Sequence, residues 1–507
     1  MNRLRSILPI LGVIVLLALK PGLGAGQSNT QTFRVRALAT NICSQCHVFP
    51  EPYLLDRATW REQIQPLMRR IMGVTALEKD PSTNARILIG EWNAIWNDFY
   101  FSTAPERALP QDPRAPIVPD LSLFKVEDPR YAEGNCYATL VQIDSQTHQV
   151  YLGNAITKTL DVLDSTGHVV STTPVDSTLV HLLKRPDGWI GTQIGMVPPS
   201  SLPRGLVSFY TKTQDRFEKQ RDLLTGLVRP VHTSVAALVE PRREDLVVCS
   251  FGNVEGKLAS YAPYGPGTFL ENTIMERPGS LISRVIDINH DGKPDLIVLA
   301  AQAREGIFLY LNKGGGKFEE RPLIQQPPVW GYVYFELADF NGDGFPDILT
   351  ANGDLGDFAC PPKKYHGIRI YLNDGKWNFK ESYFYPLNGA FKCMAADFDG
   401  DGDLDIAAIS FFPDFEKSPE ESFVFLENQG GLKFTAHTFP DSFRGRWMTM
   451  DIGDLDGDGD LDIVLGGAYK VPFRTPQNFI DRWQKSGPSL LILRNQLSEN
   501  RAKHPSK

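Results

Sequence analysis

The chain has 507 residues, 42% of them hydrophobic, which is ample for a large core; its 43 glycines and 37 prolines suit a turn-rich β protein. Its formal net charge of −8 argues against a nucleic-acid partner.

Taken in order, the N-terminus reads as a secretion signal. Arg3 and Arg5 precede the apolar run SILPILGVIVLLAL, and the small residues Gly22, Gly24 and Ala25 follow. The run is short for a membrane span and gives way to the polar GQSNTQT. Residues 1–25 are therefore expected to be a signal peptide, with no membrane span beyond it and a periplasmic or secreted mature chain. An uncleaved anchor is the alternative, and the absence of a Cys at the cleavage point argues against a lipoprotein.

Residues 31–108 are expected to form a small, separate α-helical domain. Near its start, Cys43-Ser44-Gln45-Cys46-His47 has the spacing for covalent c-type haem attachment, with two thioethers to the porphyrin and His47 as proximal iron ligand. A structural zinc site would need further Cys or His ligands in this stretch, and it holds none. A thioredoxin-like pair would need a βαβ setting, and a Cys43–Cys46 disulfide is the remaining alternative. For the distal ligand, WREQIQPLMRRIMG offers Met68 and Met72, four apart on one helical face. Met68 is favoured, and plain core packing is the competing role for either. Further on, Trp92, Trp96, Phe99 and Tyr100 recur at helical spacing, suited to packing on a haem or on the domain core. The Pro-rich LPQDPRAPIVPD, residues 109–120, is expected to be an extended, semi-rigid linker.

From residue 121 to 496 the chain repeats. Four loops share one pattern, with oxygen side chains at the first, third, fifth and ninth positions. They are Asp287, Asn289, Asp291 and Asp295; Asp339, Asn341, Asp343 and Asp347; Asp397, Asp399, Asp401 and Asp405; and Asp454, Asp456, Asp458 and Asp462. A Gly at the sixth position lets the backbone turn tightly around a centre. Such carboxylate clusters repel one another unless a hard cation sits among them, and Ca2+ accepts six to eight oxygens at loose geometry. Up to four Ca2+ ions are expected. An EF-hand would need a Glu at the twelfth position, where Val298, Thr350, Ala408 and Leu465 stand, and helical rather than β-type flanks.

The loops begin at residues 287, 339, 397 and 454, a period of a little over fifty residues. Each is followed by a strand-like run ending in Asn or Gly and then an aromatic, as in IFLYLNKGGGKF, which is how a β-propeller blade looks in sequence. Earlier blades keep only that second signature, ending at Phe269 and Phe217, with a weaker match in LDVLDSTGHVV. Asp245 keeps a ninth position after Ala237, Val239 and Pro241 have replaced the other oxygens, and Asp187-Gly188 is a further remnant. The count is seven units, four with metal loops and three without. The last unit stops after SLLILRNQ, one strand short. LSLFKVEDPRY, residues 121–131, has the length and alternation to supply that strand and close the ring. The expected fold is thus mainly β: a seven-bladed β-propeller with a small N-terminal α-helical domain. The tail, 497–507, is expected to be disordered. Cys136, Cys249, Cys360 and Cys393 are scattered one per blade region, and sequence assigns no disulfide among them.

The DxDxDGxxD loops and their following strands resemble FG-GAP/VCBS repeats, the calcium-loop propeller repeats also found in the integrin α-subunit head. The resemblance is good over residues 230–496 and poor over 130–230. The CSQCH stretch resembles a cytochrome c module fused to such propellers in bacterial exported proteins. Where this chain departs from the repeat, binding should weaken: the first three blades have lost their acids, His290 replaces a Gly, and Asn289 and Asn341 replace Asp.

Three functions compete. One is electron transfer, the single haem serving an unidentified redox partner docked on the propeller. Another is a calcium-stabilised module binding an extracellular carbohydrate or protein, with the haem accessory. The third is a haem-coupled dehydrogenase, for which His232, Tyr365-His366-Gly367 and Arg444-Gly445-Arg446-Trp447 could line a central site or merely tie blades together. No nucleophile–base pair, phosphate loop or second redox-cofactor motif supports catalysis.

Overall fold

Short aliphatic runs ending at Asp, Asn or Gly, such as DLIVLA and DILTAN, form strands of six residues, Asp295–Ala300 and Asp347–Asn352. Every residue of these two strands is buried, because each lies in a blade packed on both faces by its neighbours. That is why they read as apolar runs rather than as an alternating pattern. The computed structural model describes residues 26–79, 87–132, 134–469 and 475–499. The expected signal peptide lies outside them, as does the tail from residue 500.

The strands form seven four-stranded antiparallel sheets. Their inner strands are Ala138–Asp144, Leu179–Arg185, Pro230–Ala236, Ser280–Ile286, Tyr332–Ala338, Ala390–Ala396 and Trp447–Gly453, numbered here as blades 1 to 7. The fold is a seven-bladed β-propeller, mainly β as expected. Outer strands such as Thr268–Met275 are largely exposed.

Blade 7 takes its fourth strand from the start of the propeller. Phe124–Glu127 pairs antiparallel with Leu490–Asn495, Phe124 opposite Asn495 and Glu127 opposite Ile492. The ring is closed by the segment that the missing strand predicted. The Phe124 ring packs edge-on against Phe398 and Phe425, at 5.7 and 5.5 Å between centroids. Phe124→Ala is expected to cost about 3–5 kcal/mol by opening a cavity at the seam, measured by denaturant unfolding against wild type.

The N-terminal region is helical, as expected, but it is not separate. Gly26–Cys43 is followed by one continuous helix over residues 57–71 and another over 89–103, each carrying a π-helical turn, Trp60–Ile64 and Ala94–Tyr100. Its core includes Val329 and Tyr365 of the propeller, with Trp330 and Phe358 packed against it. The Tyr365 hydroxyl donates to the carbonyls of Val329 at 3.1 Å and Leu54 at 3.4 Å, and its ring stacks on Trp330 at 4.6 Å. No described helix is long and apolar enough to cross a membrane.

The Pro-rich segment is extended but pinned rather than a free spacer. Val118 bridges in parallel to His437, Arg114 donates to the Pro386 carbonyl at 3.0 Å, and Arg114 pairs at 2.6 Å with the buried Glu421. The start of the expected disordered tail is also held: Ser498 donates from its N–H and hydroxyl to Asp460, at 2.6 and 2.9 Å. No two of the described cysteines are bonded to one another.

Glu305 sits beneath this junction, 3% exposed, accepting from the Gly331 N–H at 2.8 Å. Burial pushes its carboxyl up to about 8, against the pull of Lys363. A folded-state value above the unfolded one means that the contribution is fully present below about pH 4.5 and declines as pH rises towards 8. Glu305→Gln should therefore flatten the fall in melting temperature between pH 5 and 8.

Candidate functional site

Cys43 is the last residue of the first helix, and the turn that follows brings the Cys46 N–H to the Cys43 carbonyl at 3.3 Å. That turn places both thiols and His47 on one apolar cleft. Its walls include Trp60, Ile64, Trp96 and Tyr100 of the later helices and Pro328 and Val329 of the propeller. The Trp60 indole donates to the Pro52 carbonyl and the Tyr100 hydroxyl to the Pro50 carbonyl, each at 2.8 Å, and the Tyr100 hydroxyl also lies beside the Cys43 thiol. The interior of the cleft is left almost wholly apolar. Met68 and Met72 both line it, Met72 buried and Met68 half-buried, so the two candidates share the cleft and geometry alone does not separate them.

Electrostatics follow from this burial, which pushes the Cys43 thiol up to about 11 and His47 below its ordinary value. His47 Nδ1 lies 2.9 Å from the Val48 carbonyl, which places the proton on Nδ1 and leaves the Nε2 lone pair for a metal. The residues able to hold a cofactor here are Cys43, Cys46, His47 and one of the two methionines.

The four acidic loops each join the inner strand of a blade to the next strand, on blades 4 to 7. In each, the first Asp accepts from the N–H of the sixth-position Gly, for example Asp287 from Gly292 at 2.9 Å and Asp397 from Gly402 at 3.1 Å. These glycines take left-handed φ, from 78° at Gly292 to 97° at Gly402, which disfavours any other residue. Asp397, Asp399 and Asp401 bring one carboxylate oxygen each within 4.8 Å of one another, and so do Asp454, Asp456 and Asp458. In the other two loops Asn289 and Asn341 hold the third position, and Lys293 pairs with Asp291 at 3.0 Å. Arg494 stands 3.5 Å from Asp456 and 2.9 Å from Asp462.

The ninth position has a second role that the spacing did not reveal. Asp347 is fully buried; one oxygen accepts from the Phe340 N–H at 2.9 Å and the other from the Asn373 N–H at 2.8 Å. Asp295, Asp405 and Asp462 do the same with Ile288 and Asn312, Phe398 and Asn428, and Leu455 and Asn495. The ninth Asp therefore clamps its loop to the Asn at the end of the third strand. That recurring Asn was visible in the sequence, in IFLYLN and IRIYLN, but nothing there linked it to the loop. Asp245 keeps half of the clamp in blade 3, accepting from Leu238 and Val239, which explains why it outlasts the rest of its loop. Asp347→Ala leaves two backbone N–H groups without acceptors. It should cost about 2–6 kcal/mol, at about 1–3 kcal/mol each, even in denaturation with excess chelator present.

Acidic loops and apolar cleft lie on opposite faces of the propeller. Connections from first to second strands emerge on one face, whereas residues 327–331 between blades and the second-to-third connection bearing Tyr365 emerge on the other. Of the other candidates, Arg446 lies over the Phe411 ring at 4.0 Å and donates to the Phe411 carbonyl, and Trp447 donates to Ser442. The first ties blade 7 to blade 6, and the second braces the connection between them. His366 is buried beside Tyr365, and His232 lies against His181 with 4.2 Å between ring centroids.

Residues 287–350 and 356–408, which hold three of the four acidic loops, match the family described as FG-GAP-like repeat. The propeller carries FG-GAP-like repeats. Integrin alpha-7 of Homo sapiens is 31% identical over 129 residues, 21% of this chain and 10% of that protein. The chain thus spans about a tenth of that relative's length. Among solved structures, Saccharomyces cerevisiae Sqt1 matches at 8% identity, covering 73% of this chain and 97% of that one with a TM-score of 0.44. The N-terminal domain of Nup159 matches at 10% identity, covering 76% and 98%, with a TM-score of 0.42.

Proposed function

We propose that this protein is an exported, calcium-binding propeller that carries one covalent c-type haem and passes electrons to a redox partner. The observation that carries the reading is the convergence of Cys43, Cys46, His47 and two methionines on one apolar cleft. The donor set suits the group: Cys43 and Cys46 would supply the two thioethers, His47, with its Nδ1 proton held by Val48, would supply an imidazole, and a methionine could supply a further sulfur ligand. When bound, a haem supplies a one-electron couple in a site shielded from water. The chain's own contribution is to hold the thiols at a helix end, fix the His47 tautomer, and exclude water with Trp60, Trp96, Tyr100 and the propeller residues Pro328 and Val329. Met68 is the distal ligand proposed.

The acidic loops are proposed as calcium sites, with those at Asp397 and Asp454 stronger than those at Asp287 and Asp339, where an Asn removes one charge. They would brace one face of the propeller while the cofactor lies on the other. The partner would dock on the propeller. The likeness to integrin alpha-7 supports a second reading, a calcium-stabilised binding head with the haem accessory.

A reduced-minus-oxidised visible spectrum, taken on full-length protein made in a host that matures c-type cytochromes, tests the first reading. A sharp α band that survives denaturation supports it. A colourless protein with Cys43 and Cys46 in a disulfide removes the redox role and leaves the binding head.

A further inference from the structure

A second cavity, of about 870 Å³, lies on the same face of the propeller as the cleft. The extended Pro-rich segment walls one side. Pro361 and Pro362 of blade 5 and part of residues 414–421 of blade 6, both in second-to-third-strand connections, wall the other. The cavity reaches Asp56, which caps the helix carrying Trp60.

Buried polar groups line its depth. Glu421, with no exposed side-chain surface, pairs with Arg114 at 2.6 Å and accepts from Asn388 Nδ2 at 3.3 Å and the Asp414 N–H at 3.5 Å. Asn388 is 8% exposed. With its Nδ2 held by Glu421, its Oδ1 has no hydrogen-bond partner among the described residues. Arg114 uses Nη1 for both Glu421 and the Pro386 carbonyl, and a guanidinium has five N–H donors on three nitrogens. Donor and acceptor capacity thus stand side by side.

Charge around the cavity nearly balances. Of its six carboxylates, Asp56 caps its helix, Asp414 accepts from the N–H groups of Glu416 and Lys417, and Glu421 pairs with Arg114. Glu106, Asp112 and Glu420 remain, against the exposed Arg107 and Lys417, the latter 4.0 Å from Asp414. A ligand of either sign meets like charges here, whereas a neutral one with donors and acceptors meets partners throughout. A hydroxyl donates and accepts at one oxygen, so it suits a carboxylate and a guanidinium only 2.6 Å apart. A peptide carries its donor and acceptor on separate atoms. The adjoining cavity, of about 590 Å³, shares Pro361, Pro362 and Asp414 and adds the apolar Leu355, Phe412 and Phe415. Polar edges beside apolar faces, at a volume suited to several rings, match a chain of sugars.

We propose that this groove binds a neutral oligosaccharide, its hydroxyls on Asn388, Glu421 and Arg114 and its ring faces against the prolines where the cavities meet. The proposal rests on the binding-head reading and names the ligand class for it.

Calorimetric titration of the full-length protein in excess calcium tests this, with neutral tetrasaccharides of glucose, galactose and mannose as probes. Tetragalacturonate, a glucosamine tetramer and acetyl-tetraalanine amide are the comparisons. Saturable binding of at least one neutral tetrasaccharide, tighter than all three comparisons, is expected. Ala115→Trp, at an exposed wall residue, should abolish it by filling the groove. Asn388→Leu should weaken it about twofold to tenfold, the range for one neutral hydrogen bond. Melting curves check folding, and should Asn388→Leu fail to fold, Ala115→Trp carries the test. Neutral-sugar binding unchanged in Ala115→Trp overturns the site but keeps the binding head, with its ligand elsewhere. Tighter binding of the peptide overturns the proposal and leaves a protein-binding head. Tighter binding of a charged tetramer, or no saturable binding of any neutral one, also overturns it.

Discussion

The double substitution Cys43→Ala and Cys46→Ala should leave the protein folded and without covalent haem. Haem staining after denaturing electrophoresis, present in wild type, should vanish completely. The two thiols lie at a helix end, so their loss removes little packing, while the attachment depends on them alone. The methionines separate in a second pair of variants. Met68→Ala should keep the covalent haem but lower its reduction potential, because a thioether ligand raises it. Met72→Ala should leave the potential nearly unchanged and lower the melting temperature, as expected for a buried core residue. The reverse assignment would follow if the potential moved with Met72 instead.

Chelation should be the largest effect on stability. A ligand that binds only the folded state at about a thousand times its dissociation constant adds about 4 kcal/mol per site. With up to four sites, excess EDTA should lower the melting temperature by roughly 10 °C or more, taking about 2–4 °C per kcal/mol for a large domain. Asp401→Ala should remove more of this calcium-dependent part than Asp291→Ala. Asp401 completes a cluster of three carboxylates, whereas Asp291 stands beside Asn289 and is already paired with Lys293. An unchanged melting curve in EDTA would mean that the loops stand as acidic turns held by their glycines and by the ninth-position clamps.

Much of the architecture was legible because it repeats. A loop such as DFDGDGDLD demands the same turn each time it occurs, and a period of one blade fixes the fold without any long-range information. The closing strand was legible for a related reason: a unit that ends one strand short requires a donor, and residues 121–131 were the available alternating segment. The ninth Asp was half legible. Its oxygen chemistry was plain, but its clamp to Asn373 or Asn428 joins residues about 25 apart through buried backbone N–H groups, which no local pattern reports.

The sequence by itself determined the elements whose cause is local. These are the blades, the left-handed glycines of the acidic loops, the CSQCH turn and the helices around it. Tertiary structure alone decided what those elements face. Val329 and Tyr365 complete the core of the N-terminal helices from the far side of the chain, so an expected separate domain became part of one packed body. Arg284, Glu336, Lys392 and Asp451 look like isolated charges in apolar strands until ring closure brings their four blades to one axis. Both outcomes have the same physical reason. Burial and charge pairing depend on which surfaces meet, and in a closed ring the surfaces that meet lie from one blade period to some three hundred residues apart.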